Sequence, residues 1–249
     1  MQKQREQNFK RLIIGKAISD FGSYFDMVAL NVFIFALTQS AIYTGVFMAV
    51  RMLGGVATGF YAGILADKYD RKRLMVYSDL IRALAIFLLV ISPSEQQLPV
   101  LFVVALILGV FNSLFNVSLQ SSIPALLGPE QRVRANAKLA SIASIAMVLG
   151  SASGGIAISV IGYKIVFFID ALTYLFSGLN LSSLPLTTKE HTAESHRDEQ
   201  NFKNDLKFTW IFLKSAPLLF AMLGIRLLDT LGSASHNIGL PIISKTLIP

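Results

Sequence analysis

The sequence predicts an all-α membrane protein, in which a six-helix transmembrane bundle is followed by a linker and a seventh helix. Three observations lead to this prediction. The chain is 53% hydrophobic and only 15% charged, whereas soluble domains carry about a quarter charged residues. Its apolar stretches are long enough to cross about 30 Å of hydrocarbon. Its cations are concentrated in alternate loops, as expected when successive loops face different compartments.

Each predicted helix is an apolar stretch of about twenty residues or more. The predicted spans are 12–37, 42–65, 74–92, 98–123, 137–161, 164–184 and 217–241. They divide the chain into a bundle (1–185), a linker (186–215) and the start of a second bundle (216–249). The linker begins as a polar, solvated segment. It continues with apolar residues at helical spacing, which predict an amphipathic helix in the membrane interface. These residues are Phe202, Leu206, Trp210 and Leu213.

The distribution of cations predicts the orientation. Sixteen of the 22 Lys and Arg residues lie in the N-terminal tail, the 66–73 loop, the 128–138 segment and the linker. The opposite loops contain only two, Lys164 and Lys245. Such asymmetry predicts a multi-pass protein of the cell membrane with a cytoplasmic N-terminus, and it argues against a nucleic-acid partner. The 66–73 loop is so short that the second and third spans are expected to form a tight hairpin.

The first span has one polar arc, which contains Lys16, Ser19, Asp20, Ser23, Asp26 and Asn31. The opposite, apolar arc is expected to face lipid. Asp26 lies near the middle of the bilayer, where a charged carboxylate costs about 2.5–3.5 kcal/mol. Two explanations are open, a structural hydrogen-bonded acid or a residue with a coupling or substrate role. Asp20 is the second coupling candidate, nearer the cytoplasmic end.

Other polar residues inside the spans are candidates for a substrate cavity. Arg51 lies midway along the second span, as an ion-pair partner of Asp26 or a substrate contact. Asn112, Asn116 and Gln120 recur at every fourth position, which suits either a cavity lining or hydrogen bonds between helices. Weaker candidates are Asp170, Arg226 and Asp229, the last two of which are spaced to pair with each other. Gly150, Gly154 and Gly155 predict close helix packing.

No enzymatic or metal site is predicted. The chain has no cysteine, so disulfides and thiol chemistry are excluded. Its three histidines form no metal-ligand pattern, and no nucleophilic triad or phosphate-binding loop is present. The sequence therefore predicts no cofactor.

The segment from Gly63 to Arg73 resembles the signature loop between helices 2 and 3 of major facilitator superfamily transporters. The matching residues are Gly63, Leu65, Ala66, Asp67, Arg71 and Lys72. Asp70 departs from the pattern, which usually has glycine there. The resemblance implies a transporter of two six-helix halves. It also implies that Asp67 contacts the second half and holds a gate, within a charge network that includes Arg71 and Lys72.

Three further segments resemble the branch that contains macrolide and enterobactin exporters: 73–83, 134–137 and 168–177. This resemblance implies proton-driven export of a small amphipathic molecule, with protons and the lipid bilayer as further partners. Only one helix follows the linker, so the chain is expected to be a fragment or a truncated form whose missing C-terminal half is a partner. Alternatives are an importer of the same fold and a membrane scaffold that does not transport.

Overall fold

A computed structural model of the chain describes residues 2–127 and 129–184, together with 211, 215–218, 221–222, 224–225 and 228. Six long helices make up the first two ranges: α1 (Gln2–Thr38), α2 (Ala41–Lys68), α3 (Arg71–Ile91), α4 (Gln97–Leu126), α5 (Pro129–Ile161) and α6 (Tyr163–Ser182). A 3-10 turn, Ser94–Gln96, joins α3 to α4, and the described residues contain no strand. All six helices are long and apolar enough to cross a membrane.

The helices pack in a pattern with internal symmetry. α1 lies against α5 and α6, α2 lies along α4, and α3 lies between α4 and α6. Exchanging the first three helices with the last three leaves these pairings unchanged. Since helices three apart in the chain run in opposite directions, the pattern is that of an inverted repeat. The bundle is thus built from two related three-helix units.

The expected tight hairpin of the second and third spans is wrong. Only Tyr69 and Asp70 separate α2 from α3, yet the two helices share few contacts. α2 instead packs on α4, where Gly109 gives it room. A Cβ at Gly109 would lie 1.9 Å from the carbonyl oxygen of Arg51. A short connection fixes where two helices meet, but side-chain size decides what each packs against.

Individual residues determine where α3 and α6 begin. The Asp70 carboxylate accepts a hydrogen bond from the backbone N–H of Arg73 at 3.1 Å, and so caps the start of α3. A single residue, Gly162, connects α5 to α6 with φ +75°. This left-handed conformation favours glycine because a side chain would clash there. The chain therefore passes from α5 to α6 within one residue.

The apolar arc of α1 does not simply face lipid, in contrast to the sequence expectation. α5 covers part of it, since a Cβ at Gly150 or Gly154 would lie 2.8 Å from the carbonyl oxygen of Phe21 or Phe25. Phe25 is consequently only 3% exposed. Residues such as Ile14 and Val32 remain exposed. The predicted close packing at the α5 glycines is confirmed, with α1 as the partner helix.

Two apolar clusters form the core of the bundle, one toward each end of the helices. The first contains Phe33, Ile86, Leu101 and Phe167 among others. The second contains Leu12, Met75, Leu119 and Leu181 among others. Along α1, α3, α4 and α6, most polar residues of the bundle lie between the segments that supply these clusters or at the inner edges of those segments. A layer of polar side chains therefore separates two apolar ends.

The chain forms two compact units, Met1–Glu190 and His191–Pro249. The six helices belong to the first. In the second, the described residues from 217 to 228 are helical, as expected for a seventh helix. The predicted interfacial helix with Trp210 lies outside the described residues.

Candidate functional site

The polar layer between the two apolar clusters is the candidate functional site. Its members come from α1, α2, α3, α4 and α6. They are Lys16, Ser19, Asp20, Ser23, Asp26, Arg51, Asp79, Arg82, Asn112, Asn116, Asp170, Thr173, Tyr174 and Ser177. Seven of these side chains are charged at neutral pH if every acid is ionised. So many charges inside a membrane-spanning bundle are costly, and this cost makes the layer the candidate site.

Asp26 is fully buried and binds two partners at once. Arg51 Nη1 donates to Asp26 Oδ1 at 2.7 Å, and the Tyr174 hydroxyl donates to Oδ2 at 2.7 Å. Ser23 lies beside them, with its carbonyl oxygen 3.4 Å from Arg51 Nη2. The ion pair between Asp26 and Arg51 that the sequence suggested is therefore present. It ties α1 to α2, while Tyr174 ties the same carboxylate to α6.

A second buried ion pair, between Asp79 and Arg82 of α3, was not singled out from the sequence. Ser19 of α1 donates to Asp79 Oδ1 at 3.1 Å, and Ser177 of α6 donates to Oδ2. Arg82 Nη2 also donates to Ser19 Oγ at 2.9 Å. The sequence does contain a signal for this pair. Asp79 and Arg82 are three residues apart within a 21-residue apolar helix, and charged residues are rare in a membrane span.

Arg82 also stacks on aromatic rings. Its guanidinium carbon lies 4.4 Å from the ring centre of Tyr174 and 5.1 Å from that of Phe115. Cations over aromatic faces gain about 2 kcal/mol or more when they are desolvated. These contacts help to offset the cost of burying the guanidinium, and they place the Tyr174 hydroxyl toward Asp26.

Hydrogen bonds extend the layer to its other end. Lys16 pairs with Asp20 and donates to Asn116 Oδ1 at 2.8 Å. Asn116 Nδ2 donates to the Asn112 carbonyl at 2.9 Å, and Asn112 Oδ1 lies 3.4 Å from Arg82 Nη1. These bonds between helices correspond to one of the two alternatives left open for Asn112 and Asn116. A continuous chain of polar contacts thus leads from Asp20 through Arg82 to Arg51.

Asp170 differs from the other acids of the layer. It is fully buried and, unlike Asp20, Asp26 and Asp79, forms no ion pair among the described residues; its Oδ2, like that of Asp20, has no hydrogen-bond partner. Its Oδ1 lies 3.5 Å from Thr173 Oγ1, which bonds more closely to the Asp170 carbonyl at 2.7 Å. The α1 backbone at Gly22 passes directly beside it, since a Cβ there would lie 3.2 Å from Asp170 Oδ1. A buried carboxyl group is thus left with little stabilisation.

One predicted cavity residue, Gln120, lies away from the polar layer. Gln120 is exposed, because each step of four residues rotates about 40° around a helix and two steps carry it away from the face of Asn112. Asp229, like Arg226, lies outside the described residues. Of the predicted cavity set, Arg51, Asn112 and Asn116 belong to the polar layer.

The residues of the signature segment lie mainly in helices. Gly63 and Asp67 belong to α2, and Arg71 and Lys72 form the first turn of α3. Arg71 Nε donates to the Ala66 carbonyl at 3.1 Å and Nη1 to the Ser121 carbonyl at 2.6 Å. Its Nη2 lies 3.6 Å from Asp67 Oδ1.

Lys72 completes this arrangement by donating to the Leu184 carbonyl, just beyond the end of α6. The two cations therefore bind carbonyl groups at the C-terminal ends of α2, α4 and α6. These ends carry the negative poles of the helix dipoles, so cations stabilise them. The signature segment holds three helix ends together at one side of the bundle.

The arrangement of the polar layer suits a conformational change better than covalent catalysis. Five helices meet at one set of charges, and proton binding or the approach of a charged ligand would alter several of their contacts together. The layer can therefore link the occupancy of a small site to a movement of helices.

Two curated relatives of this chain are named as an exporter or an efflux protein. BacE of Bacillus subtilis, a proposed bacilysin exporter, is 29% identical over 210 residues, which cover 82% of this chain and 51% of that protein. Macrolide efflux protein A of Streptococcus pyogenes is 24% identical over 238 residues, which cover 95% of this chain and 58% of that protein. The chain thus spans about half the length of the curated relatives it matches.

The fold is shared with a solved transporter. A crystal structure of a mutant of the peptide transporter POT, in complex with alafosfalin, aligns with a TM-score of 0.53 and 20% identity. The alignment covers 96% of this chain and 51% of that one. The model of the Major Facilitator Superfamily matches residues 12–246. This chain therefore belongs to the Major Facilitator Superfamily, a family of membrane transporters and not of enzymes.

Proposed function

We propose that this chain is part of a secondary active exporter that moves a small amphipathic compound across the cell membrane in exchange for protons. The observation that carries the proposal is the polar layer, where charged residues from four helices and two asparagines from a fifth lie between two apolar clusters. Export is favoured over import because named relatives include a macrolide efflux protein and a proposed bacilysin exporter. The layer supplies acids for coupling, and the bundle supplies helices to move.

Asp26 is the proposed coupling residue of α1, with Asp20 as a secondary one. Protonation of Asp26 would weaken its attraction for Arg51, which would become free to bind an anionic or polar group of the substrate. Asn112 and Asn116 would offer amide groups to the same ligand once their bonds to Arg82 and Lys16 open.

The proposed gate is the signature segment, with Gly63 and Asp67 on α2 and Arg71 and Lys72 on α3. Arg71 bridges the ends of α2 and α4 in the described conformation. Movement of these helix ends would break that bridge and open one side of the bundle. We propose that this side, which carries most loop cations, faces the cytoplasm together with the N-terminus.

Transport of erythromycin by everted membrane vesicles tests the proposal, with the complete gene product expressed in a host that lacks its own macrolide pumps. An acid-inside pH gradient should drive erythromycin into these vesicles, and a protonophore should abolish the uptake. Asp26→Asn should remove the dependence on the gradient, whereas the matched variant Asp20→Asn should retain most of it.

Three results would contradict parts of the proposal. Gradient-driven uptake only by right-side-out vesicles would identify an importer. Uptake that ignores the protonophore would exclude proton coupling. Wild-type, pH-dependent uptake by Asp26→Asn would make Asp26 a structural residue. If neither vesicle orientation takes up erythromycin, a panel of amphipathic cations and peptides replaces it as the probe.

A further inference from the structure

Asp170 is the acid of the polar layer that takes no part in an ion pair among the described residues. Its side chain is fully buried, and its Oδ2 contacts no hydrogen-bond donor in the described part of the chain. Such a carboxylate loses its hydration without replacement, and this makes the charged form costly. The protein keeps this residue at the contact of α6 with α1, where Gly22 leaves room for it.

The charge balance of the layer points to the same residue. Its three cations are Lys16, Arg51 and Arg82, and each pairs with a different acid. Those acids are Asp20, Asp26 and Asp79, so Asp170 is the fourth acid and has no cation within ion-pair distance among the described residues. With a proton on Asp170 the layer is neutral, and without it the layer carries one excess negative charge.

The charged groups around Asp170 act in opposite directions on a negative charge there. Asp26 of α1 repels it, while Arg51 of α2 and Arg82 of α3 attract it from beyond direct contact. On α6 its neighbour Thr173 is neutral and bonds to the backbone. α5 also packs on α6, but it has no charged residue from 139 to 161. Both guanidinium groups are already engaged by other carboxylates.

We infer that Asp170 is the proton-binding site of this bundle and carries the exchangeable proton in the described conformation, while Asp26 remains ionised in its pair with Arg51. The inference rests on the proposed function for its role in transport and refines it: Asp170 rather than Asp26 holds the proton in this conformation, and Asp26 takes part in coupling through Arg51. Release of the proton breaks the O–H bond of the Asp170 carboxyl group and passes the proton to water on one side of the membrane. The carboxylate left behind competes with Asp26 for Arg51.

This competition offers a means of coupling. Arg51 would shift toward Asp170, and the Tyr174 hydroxyl would lose its place between α6 and Asp26. The contacts that join α1, α2 and α6 would therefore rearrange when the proton leaves. Asp26 acts here through Arg51 and sets the position of the guanidinium, whereas Asp170 holds the proton.

Infrared spectroscopy of the purified protein, as the complete gene product in detergent, tests where the proton resides. The C=O stretch of a protonated carboxyl group is distinct from the bands of carboxylates and amides. The wild type should show this band at neutral pH and lose it on alkaline titration. Asp170→Asn should remove it, while the matched variants Asp26→Asn and Asp79→Asn should keep it.

Two outcomes would overturn the inference. One is the absence of a titrating carboxyl band in the wild type. The other is a band that survives in Asp170→Asn and disappears in Asp26→Asn. This readout needs no substrate and no transport, so the inference can hold even if the proposed export is wrong.

Thermal melting of the same variants is an independent check that stays informative if one variant is poorly folded. Asparagine resembles a neutral carboxyl group, so Asp170→Asn should melt close to the wild type at neutral pH. Asp26→Asn and Asp79→Asn should melt at clearly lower temperatures, because each leaves a buried guanidinium without its counter-charge. If Asp170→Asn melts as low as these two, Asp170 is ionised and the inference fails.

Transport then separates this inference from the proposed function. In reconstituted vesicles Asp170→Asn should lose uptake of erythromycin driven by a pH gradient but retain exchange of labelled for unlabelled erythromycin. If the wild type shows neither gradient-driven uptake nor exchange of erythromycin, this result contradicts the exporter proposal alone. Gradient-driven uptake at the wild-type rate by Asp170→Asn would contradict the assignment of the coupling proton to Asp170.

Discussion

The Arg51 guanidinium lies deep in the bundle, and Asp26 is the acid that pairs with its charge. Breaking a buried ion pair by removing one partner costs about 3–5 kcal/mol, whereas removing both partners can be nearly neutral. We therefore expect Asp26→Asn to lower the free energy of unfolding strongly. The double variant Asp26→Asn with Arg51→Gln should recover much of that loss. Melting curves of the three variants in one detergent measure the difference.

The opposite result has a clear meaning for this pair. If the double variant is as unstable as the sum of both single variants, Asp26 and Arg51 do not stabilise each other. The 2.7 Å contact between them would then contribute little, and Tyr174 would be the main partner of Asp26.

Asp67 gives the contrasting case of an exposed acid. Its side chain is 60% exposed and lies 3.6 Å from Arg71 Nη2, and ion pairs of this kind contribute about 0–1 kcal/mol. Asp67→Asn should therefore leave insertion and melting unchanged. If the segment is a gate, the same variant should lower the rate of erythromycin efflux several-fold. Lys68→Gln is the matched control for loss of a charge in the same segment. Unchanged efflux by Asp67→Asn would mean that the segment only determines orientation in the membrane.

At the scale of the helices, glycines decide which elements touch. Gly109 of α4 faces the α2 backbone, and a Cβ there would lie 1.9 Å from the Arg51 carbonyl oxygen. Backbone atoms cannot move aside as a side chain does, so Gly109→Ala should cost about 1–3 kcal/mol of stability. It should also displace Arg51 from Asp26 and reduce efflux.

Gly63→Ala is the matched control for this substitution. Gly63 lies inside α2, and a Cβ there would meet nothing within 4 Å. Alanine in a helix interior is favoured over glycine by about 0.5–1 kcal/mol, so this variant should melt at or above the wild-type temperature. A comparable loss of stability in both variants would show that the α2–α4 contact at Gly109 is not the cause.

The sequence predicted the helices well and their partners poorly. Hydropathy located the first six spans, but α1 and α5 begin well before their predicted starts at 12 and 137. The polar residues that open these helices carry no hydropathy signal. The pair of Asp26 with Arg51 was predictable because both charges lie at mid-span in adjacent helices. Tyr174 was not, since it is 148 residues from Asp26 and reaches it only through the packing of α6 on α1.

At the scale of the whole molecule, the orientation in the membrane follows from the side on which the α2–α3 connection lies. Tyr69 in that connection is 53% exposed, and Glu95 in the α3–α4 connection is also exposed. α3 crosses between them, so the two positions should lie on opposite sides.

Because the chain has no cysteine, Tyr69→Cys and Glu95→Cys each introduce a single reactive thiol. A membrane-impermeant maleimide should label Glu95→Cys in intact cells and Tyr69→Cys only after permeabilisation. This pattern is expected because the cations of the tail and of the signature segment resist transfer to the outside. The reverse pattern would invert the proposed orientation, and labelling of both in intact cells would mean that α3 does not span the membrane.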